Sequence, residues 1–137
     1  MRVVLDTNVL VSGLLSPQGA PGRVVDLLLT GEITPLVDDR ILSEYRDVLP
    51  RPKFDLPAAG ISGMLEFLES ECEIIPSAPV GIALPDPDDL PFLEVAISGH
   101  AESLITGNLR HFPAAIRRSL TFPIQAPAEF LRNWSSS

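Results

Sequence analysis

Short apolar runs alternate along the chain with longer segments of helical periodicity, and no other property of the sequence limits the fold as strongly. Strands separated by helices favour a parallel sheet with right-handed crossovers. Strands that are covered by helices on both faces read as continuous apolar runs, as these do. The sequence therefore predicts an α/β fold, a three-layer α/β/α sandwich with a central parallel four- to five-stranded sheet. The predicted strands are residues 3–5, 33–37, 73–75 and 103–106, with a short fifth at 120–124.

The length and composition of the chain fit a single domain over residues 1–137. Domains commonly run ~100–200 residues. A hydrophobic fraction of 45% with 20% charged residues is typical of a folded chain rather than a disordered one. Loops are predicted at 16–22 and, rich in proline, at 76–87. The predicted helices cover 9–15, 23–29, 39–49, 57–71, a segment that ends near 98–99, and 127–134.

Composition excludes several classes of protein. The single cysteine, Cys72, excludes a disulfide framework and a thiolate metal cluster. A formal net charge of −8 argues against a wholly basic nucleic-acid-binding surface. No apolar run approaches the ~20 residues of a membrane helix, and Asp6 interrupts the apolar start of the chain, unlike a signal peptide. We therefore expect a cytoplasmic protein without membrane contacts.

Polar residues follow the first and fourth predicted strands. Asp6 comes directly after Val3-Val4-Leu5, and Asn108 follows the strand that ends at Thr106. In parallel α/β folds the ligand site lies outside the carboxyl ends of the strands, so both side chains should reach it. An acid in this position can equally be a helix N-cap, and Asp6 alone leaves both interpretations open.

Glu44 occupies an unusual position in the predicted helix 39–49. The helical spacing i, i+3, i+4, i+7 that starts at Ile41 also includes Glu44, where a core would hold an apolar residue. A buried carboxylate is costly unless it is paired or binds a metal. The alternatives are a salt bridge, for instance with Arg40, or a position at the rim of the core.

The segment Asp86-Pro87-Asp88-Asp89 holds three acids immediately before a helix. Asp89 shares the helix face of Phe92 and Leu93 and should point inward. The position of Pro91 makes Asp88 the expected N-cap. Asp86, which precedes a proline, should be extended and could contribute from outside the cluster.

Three inward acids, Asp6, Glu44 and Asp89, therefore come from three different elements, and Asn108 adds a neutral oxygen. If they converge, their mutual repulsion requires a cation or protonation. A donor set of oxygen atoms without clustered histidine or cysteine favours Mg²⁺ or Mn²⁺ over Zn²⁺. Such sites typically hydrolyse phosphodiesters, and one or two ions could be held.

These residues occur in motifs that resemble the PIN domain family, most closely its small bacterial and archaeal members classed as toxins of toxin–antitoxin systems. The resemblance runs from residue 1 to about residue 125, with the motifs in the right order and spacing. The motifs are Val3-Val4-Leu5-Asp6-Thr7-Asn8-Val9, Ser43-Glu44, Asp86-Pro87-Asp88-Asp89 with Phe92-Leu93-Glu94, and Leu104-Ile105-Thr106-Gly107-Asn108.

The resemblance implies a Mg²⁺- or Mn²⁺-dependent ribonuclease of parallel α/β/α fold, and implies a homodimer that is silenced by a cognate antitoxin. Asp6, Glu44 and Asp89 match the acidic ligands of the family. Thr7 or Asn8, together with Thr106, would hydrogen-bond to those ligands or to water in the site. The chain departs from the family at Asn108, where an acid is usual, which leaves the number of ions open.

Several basic residues should flank this site and could contact RNA phosphates. They are Arg40, Arg46 and Arg110. His111 could act as an acid at the leaving group, or it could pack under the loop beside Phe112.

The alternatives differ in how well the residues fit them. A receiver-type signalling domain needs a lysine after its last strand, and the lysine of this chain is Lys53. A dehalogenase-like phosphatase needs an acid where Asn8 stands. A PIN-like module without catalysis, which binds RNA or a protein partner, remains the main alternative because of Asn108.

Overall fold

The structure is a computed structural model that describes residues 1–136, with side chains through residue 135. Its centre is a five-stranded sheet in which every paired strand is parallel, in the order β3-β2-β1-β4-β5. This confirms the predicted parallel α/β architecture. The strands are β1 (Arg2–Leu5), β2 (Thr34–Val37), β3 (Glu73–Ile74), β4 (Ser103–Ile105) and β5 (Ile124–Gln125).

Seven α-helices flank the sheet in the described part of the chain, and three short 3₁₀ turns separate some of them. No helix within residues 1–136 is both long and apolar enough to cross a membrane. The helices are α1 (Thr7–Leu15), α2 (Ala20–Leu29), α3 (Asp39–Val48), α4 (Ala58–Glu71), α5 (Leu90–Ser98), α6 (Ala114–Ser119) and α7 (Pro127–Ser136). The 3₁₀ turns are Pro52–Phe54, Pro87–Asp89 and Leu109–His111.

The structure corrects two boundaries that were expected from the sequence and adds one helix. Helix α2 begins at Ala20 rather than at residue 23, because Pro21 lies in the first turn, where a missing N–H costs nothing. Helix α6, which follows the last 3₁₀ turn, was not predicted. The fifth strand is limited to Ile124–Gln125.

The central strands bring distant parts of the chain together. Val3, Val4 and Leu5 of β1 are fully buried, as are Leu104 and Ile105 of β4. Leu5 is in register with Ile105, so the residues that follow the two strands emerge side by side. The chain order reverses between β1 and β4, which is where open parallel sheets bind their ligands.

Helices α1 and α2 pack closely because glycines lie at their contact. A Cβ atom at Gly13 would lie 2.9 Å from the carbonyl oxygen of Pro21. A Cβ atom at Gly22 would lie 2.2 Å from the carbonyl oxygen of Pro17. Both approaches are too short for a side chain, so Gly13 permits the contact of α1 with α2, and Gly22 permits α2 to lie against the loop that joins the two helices. Since α1 begins next to Asp6, the contact also fixes one wall of the site.

Candidate functional site

Asp6 lies at the carboxyl end of β1, and its neighbour across the sheet holds its side chain. It is 5% exposed, and the hydroxyl of Thr106 donates a hydrogen bond of 2.8 Å to Asp6 Oδ2. The amide of Asn8 lies 3.4 Å from the same oxygen. Asp6 occupies the N-cap position of α1, but its side chain makes no capping hydrogen bond. The N-cap interpretation of Asp6 is therefore not what its side chain shows, and its strongest side-chain bond is the one from Thr106.

The loop after β4 is tied to the start of α1. The backbone N–H of Gly107 donates to Asn8 Oδ1 at 2.9 Å, and the N–H of Asn108 donates to Thr106 Oγ1 at 3.0 Å. A Cβ atom at Gly107 would come within 3.2 Å of Asn8 Oδ1, so glycine permits this approach. These hydrogen bonds hold the side chains of Thr106 and Asn8 beside Asp6.

Glu44 projects from α3 towards the same edge of the sheet. The hydroxyl of Thr7 donates a hydrogen bond to Glu44 Oε2. The next residue, Tyr45, is fully buried, and its hydroxyl donates to the carbonyl oxygen of Leu5 at 2.5 Å. That bond fixes α3 against β1. Glu44 itself is half-buried, at the rim of the core rather than inside it.

Arg40 does not pair with Glu44, and this alternative from the sequence is wrong. Its guanidinium contacts Asp38 Oδ2 and Glu94 Oε1, each at 2.8 Å. Burial acts to raise the pKa of Asp38, but hydrogen bonds from Arg40, from the Ile41 N–H and from Ser77 outweigh it and lower the pKa. Two carboxylates therefore offset the charge of Arg40, which weighs against its predicted contact with RNA phosphate.

In the acidic segment before α5, the capping residue is not the one expected from the sequence. Asp86 is extended, as expected before a proline, and its side chain accepts a 2.9 Å hydrogen bond from the N–H of Asp88. The prediction that Asp88 caps the helix is wrong because a 3₁₀ turn over 87–89 precedes α5 and Asp86 caps that turn. Asp89 occupies the N-cap position of α5 without a capping bond and is 7% exposed. Asp88 is exposed.

Asp89 faces His111, for which the sequence left two positions open. His111 Nδ1 lies 2.8 Å from Asp89 Oδ2. That oxygen is buried, and the contact with His111 offsets part of the increase that burial causes in the pKa of Asp89. On the other side of the ring, Asn108 Nδ2 lies 2.8 Å from His111 Nε2. His111 is therefore not packed under the loop, a position that the fully buried Phe112 takes.

A histidine therefore belongs to the acidic cluster, contrary to the expectation of oxygen donors alone. Within the described residues, one set of three groups can each place a ligand atom within 4.8 Å of the others: Asp86, Asp89 and His111. No part of the sequence pattern links His111 to Asp89, because the contact depends on the 3₁₀ turn that follows β4. The one weak signal in the sequence is that His111 follows Asn108 by one 3₁₀ turn, which places it near the expected site.

An open cleft of about 860 Å³ lies beside these residues. Asp6, Thr7 and Asn8 form one wall, and Glu44 and Asp88 form part of another. Asp89 is not among the residues that line it. The other lining residues are Val11, Ser12, Leu15, Arg40, Ser43, Asp47, Val48, Arg51 and Phe54.

Comparison with known protein families identifies the family of this chain. Residues 2–110 match the PIN domain, which is more than half of the chain. The chain belongs to the PIN domain family. It is also 31% identical over 112 residues to the uncharacterized protein MJ1680 of Methanocaldococcus jannaschii, a match that covers 79% of this chain and 71% of that protein. PIN domains are generally metal-dependent nucleases.

The electrostatics of this PIN domain favour a cation among its acids. Burial raises the pKa of Asp6, and the charge of Asp89 adds to the increase. The hydrogen bond from Thr106 lowers the pKa and offsets part of this effect. Burial also raises the pKa of Glu44, with further increases from Asp6 and Asp88. The three acids Asp6, Glu44 and Asp89 thus lie close enough to disfavour one another's ionisation.

Asp89 is another buried acid of this PIN domain whose surroundings disfavour its ionisation. Burial raises its pKa, and Asp86 and Glu44 raise it further, while His111 lowers it. Its buried Oδ2 is approached by His111 Nδ1 at 2.8 Å. Buried carboxylates are paired or coordinate metals, so carboxylate donors together with this oxygen fit a divalent ion.

Several basic residues of the PIN domain are engaged by acids. Arg46 pairs with Glu69 at 2.9 Å on the surface. Arg51, at the cleft, pairs with Asp47 at 2.9 Å. Arg110 is exposed on the 3₁₀ turn after Asn108.

Proposed function

We propose that the protein is a metal-dependent endoribonuclease that hydrolyses RNA phosphodiester bonds. The observation that carries this proposal is electrostatic. Asp6, Glu44 and Asp89 come from three separate elements, and each is kept beside the others although burial and mutual repulsion raise its pKa. Such an arrangement is unfavourable for folding alone and is suited to a divalent cation.

In this proposal Asp6, Glu44 and Asp89 hold one or two Mg²⁺ or Mn²⁺ ions, with Asn108 as a neutral neighbour. A bound divalent ion would polarise the phosphoryl oxygen and lower the pKa of water. The protein residues would supply orientation. Thr106 holds Asp6 through a 2.8 Å hydrogen bond, and Thr7 holds Glu44 in the same way.

The cleft supports a nucleic-acid strand as the substrate. Its volume of about 860 Å³ and its open form suit an extended polymer. The exposed Arg110, and to a lesser extent Arg40 and Arg46, would contact phosphates, which fixes position without reading sequence. The RNA that is cleaved therefore depends on residues outside these contacts.

The cellular role in this proposal is that of a toxin, and it rests on the resemblance to small PIN-domain toxins. Such a protein would act on cytoplasmic RNA as a homodimer and would be silenced by a cognate antitoxin. Expression of the wild type alone should then arrest growth, and expression of Asp6→Asn should not. Growth that is unaffected by an active nuclease would favour general RNA processing over the toxin role.

One observation favours a second candidate, a PIN-like module that binds RNA or a protein partner without catalysis. Asn108 brings no charge where the family usually has an acid, and its amide is directed to His111. Fewer charges at the site would weaken the hold on an ion.

Cleavage of RNA by the purified protein tests the main proposal. We expect cleavage of labelled single-stranded or structured RNA in Mn²⁺ or Mg²⁺, none in EDTA, and little cleavage of DNA of the same sequence. Asp6→Asn and Asp89→Asn should each lower the rate at least ~100-fold. Asp26→Asn, at an exposed position on α2, is the matched control and should keep the wild-type rate.

Equal cleavage by wild type and Asp6→Asn would exclude this site as the nuclease centre. Protein that binds Mn²⁺ but cleaves none of the RNAs tested would favour the binding module.

A further inference from the structure

The loop that joins α3 to α4 carries an aromatic ring to the cleft. This loop, residues 49–57, contains three prolines, each of which fixes its own φ. Its centre is the 3₁₀ turn Pro52–Phe54, in which the N–H of Phe54 donates to the carbonyl oxygen of Arg51 at 3.1 Å. Asp55 follows in the left-handed conformation, with a φ of 48°. The backbone around Phe54 is therefore fixed before any ligand binds, which lowers the entropic cost of binding through its ring.

The cleft continues past the acids and becomes apolar. Thr7, Val11 and Leu15 line it from successive turns of α1, and Glu44 and Val48 line it from successive turns of α3. About 12 Å of helix separates Thr7, beside the acids, from Leu15. Leu15 is 51% exposed although it is a large apolar residue. The end of the cleft that is remote from the acids thus offers apolar surface that the fold itself leaves uncovered.

Phe54 follows the end of α3 and presents an open ring face at this part of the cleft. It is half-buried against the core and also lines the cleft. The Nζ atom of Lys53 lies over its ring, 5.1 Å from the centroid, and Lys53 is itself exposed. A ring face that an exposed lysine covers is accessible from solvent. Because an exposed cation–π contact is weaker than the stacking of a nucleobase on an aromatic ring, a base can displace Lys53 from this face.

The cations beside the ring indicate which kind of ligand the apolar end suits. Arg51 lines the cleft, and its ion pair with Asp47 is exposed, so a phosphate can compete for it. Lys53, once displaced from the ring, carries a second positive charge next to the same position. Aromatic rings with adjacent cations bind single-stranded nucleic acids, since the ring stacks a base and the cations contact phosphates. An apolar peptide would use the ring but not the cations, so the chemistry favours a nucleotide.

We propose that Phe54 is a base-stacking residue and that the cleft takes RNA that is unpaired at this position. This inference rests on the proposed function, because it places the scissile phosphate at the acids and the base of a nearby nucleotide on Phe54. Both faces of a base inside a duplex are covered by its neighbours, so a paired nucleotide cannot stack on the ring. Every base has a π face, so the ring selects unpaired over paired RNA rather than one sequence over another.

Binding of labelled oligoadenylate to the inactive Asp6→Asn protein in Mg²⁺ tests the proposal, with fluorescence anisotropy as the readout. Phe54→Leu keeps an apolar side chain against the core and removes the π face. We expect it to weaken binding of the single strand about 10-fold and to leave binding of the same backbone without bases unchanged. Phe67→Leu, at a half-buried phenylalanine of α4 outside the cleft, is the matched control and should keep the parent affinity. Thermal unfolding of each variant checks that it is folded.

Phe54→Trp in the same background gives a direct readout of stacking. The parent protein has a single tryptophan, Trp134, on α7. Stacking of a base on an indole quenches its fluorescence. We therefore expect oligoadenylate to quench the emission of the Phe54→Trp protein and to leave that of the parent nearly unchanged.

An unchanged affinity in Phe54→Leu, or an equal loss for the strands with and without bases, would overturn the proposal and leave Phe54 as a packing residue. Absence of RNA binding, or tighter binding of a duplex than of the single strand, would overturn it as well. Binding that depends on Phe54 in a protein that cleaves no RNA would count against the nuclease function and not against stacking. An active nuclease whose RNA binding ignores Phe54 would count against stacking alone.

Discussion

Asp6 is kept in a position that opposes its ionisation. It is 5% exposed, and burial together with the nearby charge of Asp89 raises its pKa. The hydrogen bond from Thr106 offsets only part of this effect. Without a cation, the ionised carboxylate therefore lowers the stability of the folded state, and the residue is better explained by ligand binding than by folding.

We predict that Asp6→Asn stabilises the metal-free protein at pH 7. Asparagine keeps the oxygen that accepts from Thr106 and removes the buried charge, so the free energy of unfolding should rise by about 1 kcal/mol. A folded-state pKa above the ordinary 3.8 means that the folded form binds the proton more tightly than the unfolded chain. The penalty on the wild type therefore grows as the pH rises through the folded-state pKa, and it is absent below the unfolded value.

Urea unfolding in EDTA between pH 3 and pH 8 measures this difference. The gap between Asp6→Asn and wild type should be widest near neutral pH and should close in acid. Mn²⁺ should then stabilise the wild type more than the variant. An Asp6→Asn protein that is less stable than wild type in EDTA at pH 7 would contradict the electrostatic interpretation of the site.

The packing of helix α2 against the loop before it depends on the absence of a side chain at Gly22. We predict that Gly22→Ala lowers the free energy of unfolding by about 2–3 kcal/mol, because its Cβ would lie 2.2 Å from the carbonyl oxygen of Pro17. Gly63→Ala in the exposed interior of α4 is the opposite case. No described atom lies within 4 Å of its Cβ position, so that change should stabilise the protein by about 0.5–1 kcal/mol. Thermal unfolding of both variants separates the two effects, and equal shifts would be evidence against the close contact.

Helices α3 and α5 are joined by the ion pairs of Arg40. Glu94, 5% exposed on α5, accepts from Arg40 and also from the N–H of Val80 at 3.2 Å. We predict that Glu94→Gln lowers the free energy of unfolding by about 1–2 kcal/mol, less than for a fully buried pair because the Arg40 side chain is 47% exposed. Amide hydrogen exchange should show faster exchange at Val80, while the N–H of Ile41, bonded to Asp38, should keep its protection. Unchanged exchange at Val80 would mean that Glu94 does not hold this loop.

The sequence alone was sufficient to predict those parts of the fold that depend on local patterns of apolar residues. The buried strands and their parallel arrangement follow from apolar runs between helices, and the structure confirms them. The placement of Asp6 after β1 follows from the same pattern. Helix α6 was missed because six residues that include Arg117 and Arg118 have no apolar stripe.

The remainder of the candidate site depends on contacts between distant segments. The ion pair of Arg40 with Glu94 and the approach of His111 to Asp89 have no periodicity to indicate them. The N-cap prediction for Asp88 failed because a 3₁₀ turn moves the capping role to Asp86. The catalytic and metal-binding roles of Asp6, Glu44 and Asp89 remain predictions.

At the scale of the whole molecule, the proposed binding to RNA would have to overcome a net charge of −8. Arg51 lies at the cleft, but Asp47 pairs with it at 2.9 Å. We predict that Asp47→Asn, in the inactive Asp6→Asn background, tightens binding to single-stranded RNA about threefold. It should also make the slope of log affinity against log salt more negative by about 0.7, the value for one added phosphate contact.

Fluorescence anisotropy with labelled RNA at several salt concentrations measures both quantities. Asp26→Asn in the same background removes an equal charge on α2 and should change the affinity little. If Asp26→Asn has the same effect as Asp47→Asn, total charge rather than Arg51 governs binding.

The hydrogen bond from Thr106 to Asp6 joins residues 100 positions apart. Synthesis proceeds from the amino terminus, so Asp6 and Glu44 exist long before the strand that completes their surroundings. The central strand β1 has no partner on its β4 side until that late segment arrives. An unfinished chain therefore cannot contain the assembled site. The order of strands in this sheet therefore delays the completion of the site until the ribosome has made most of the chain.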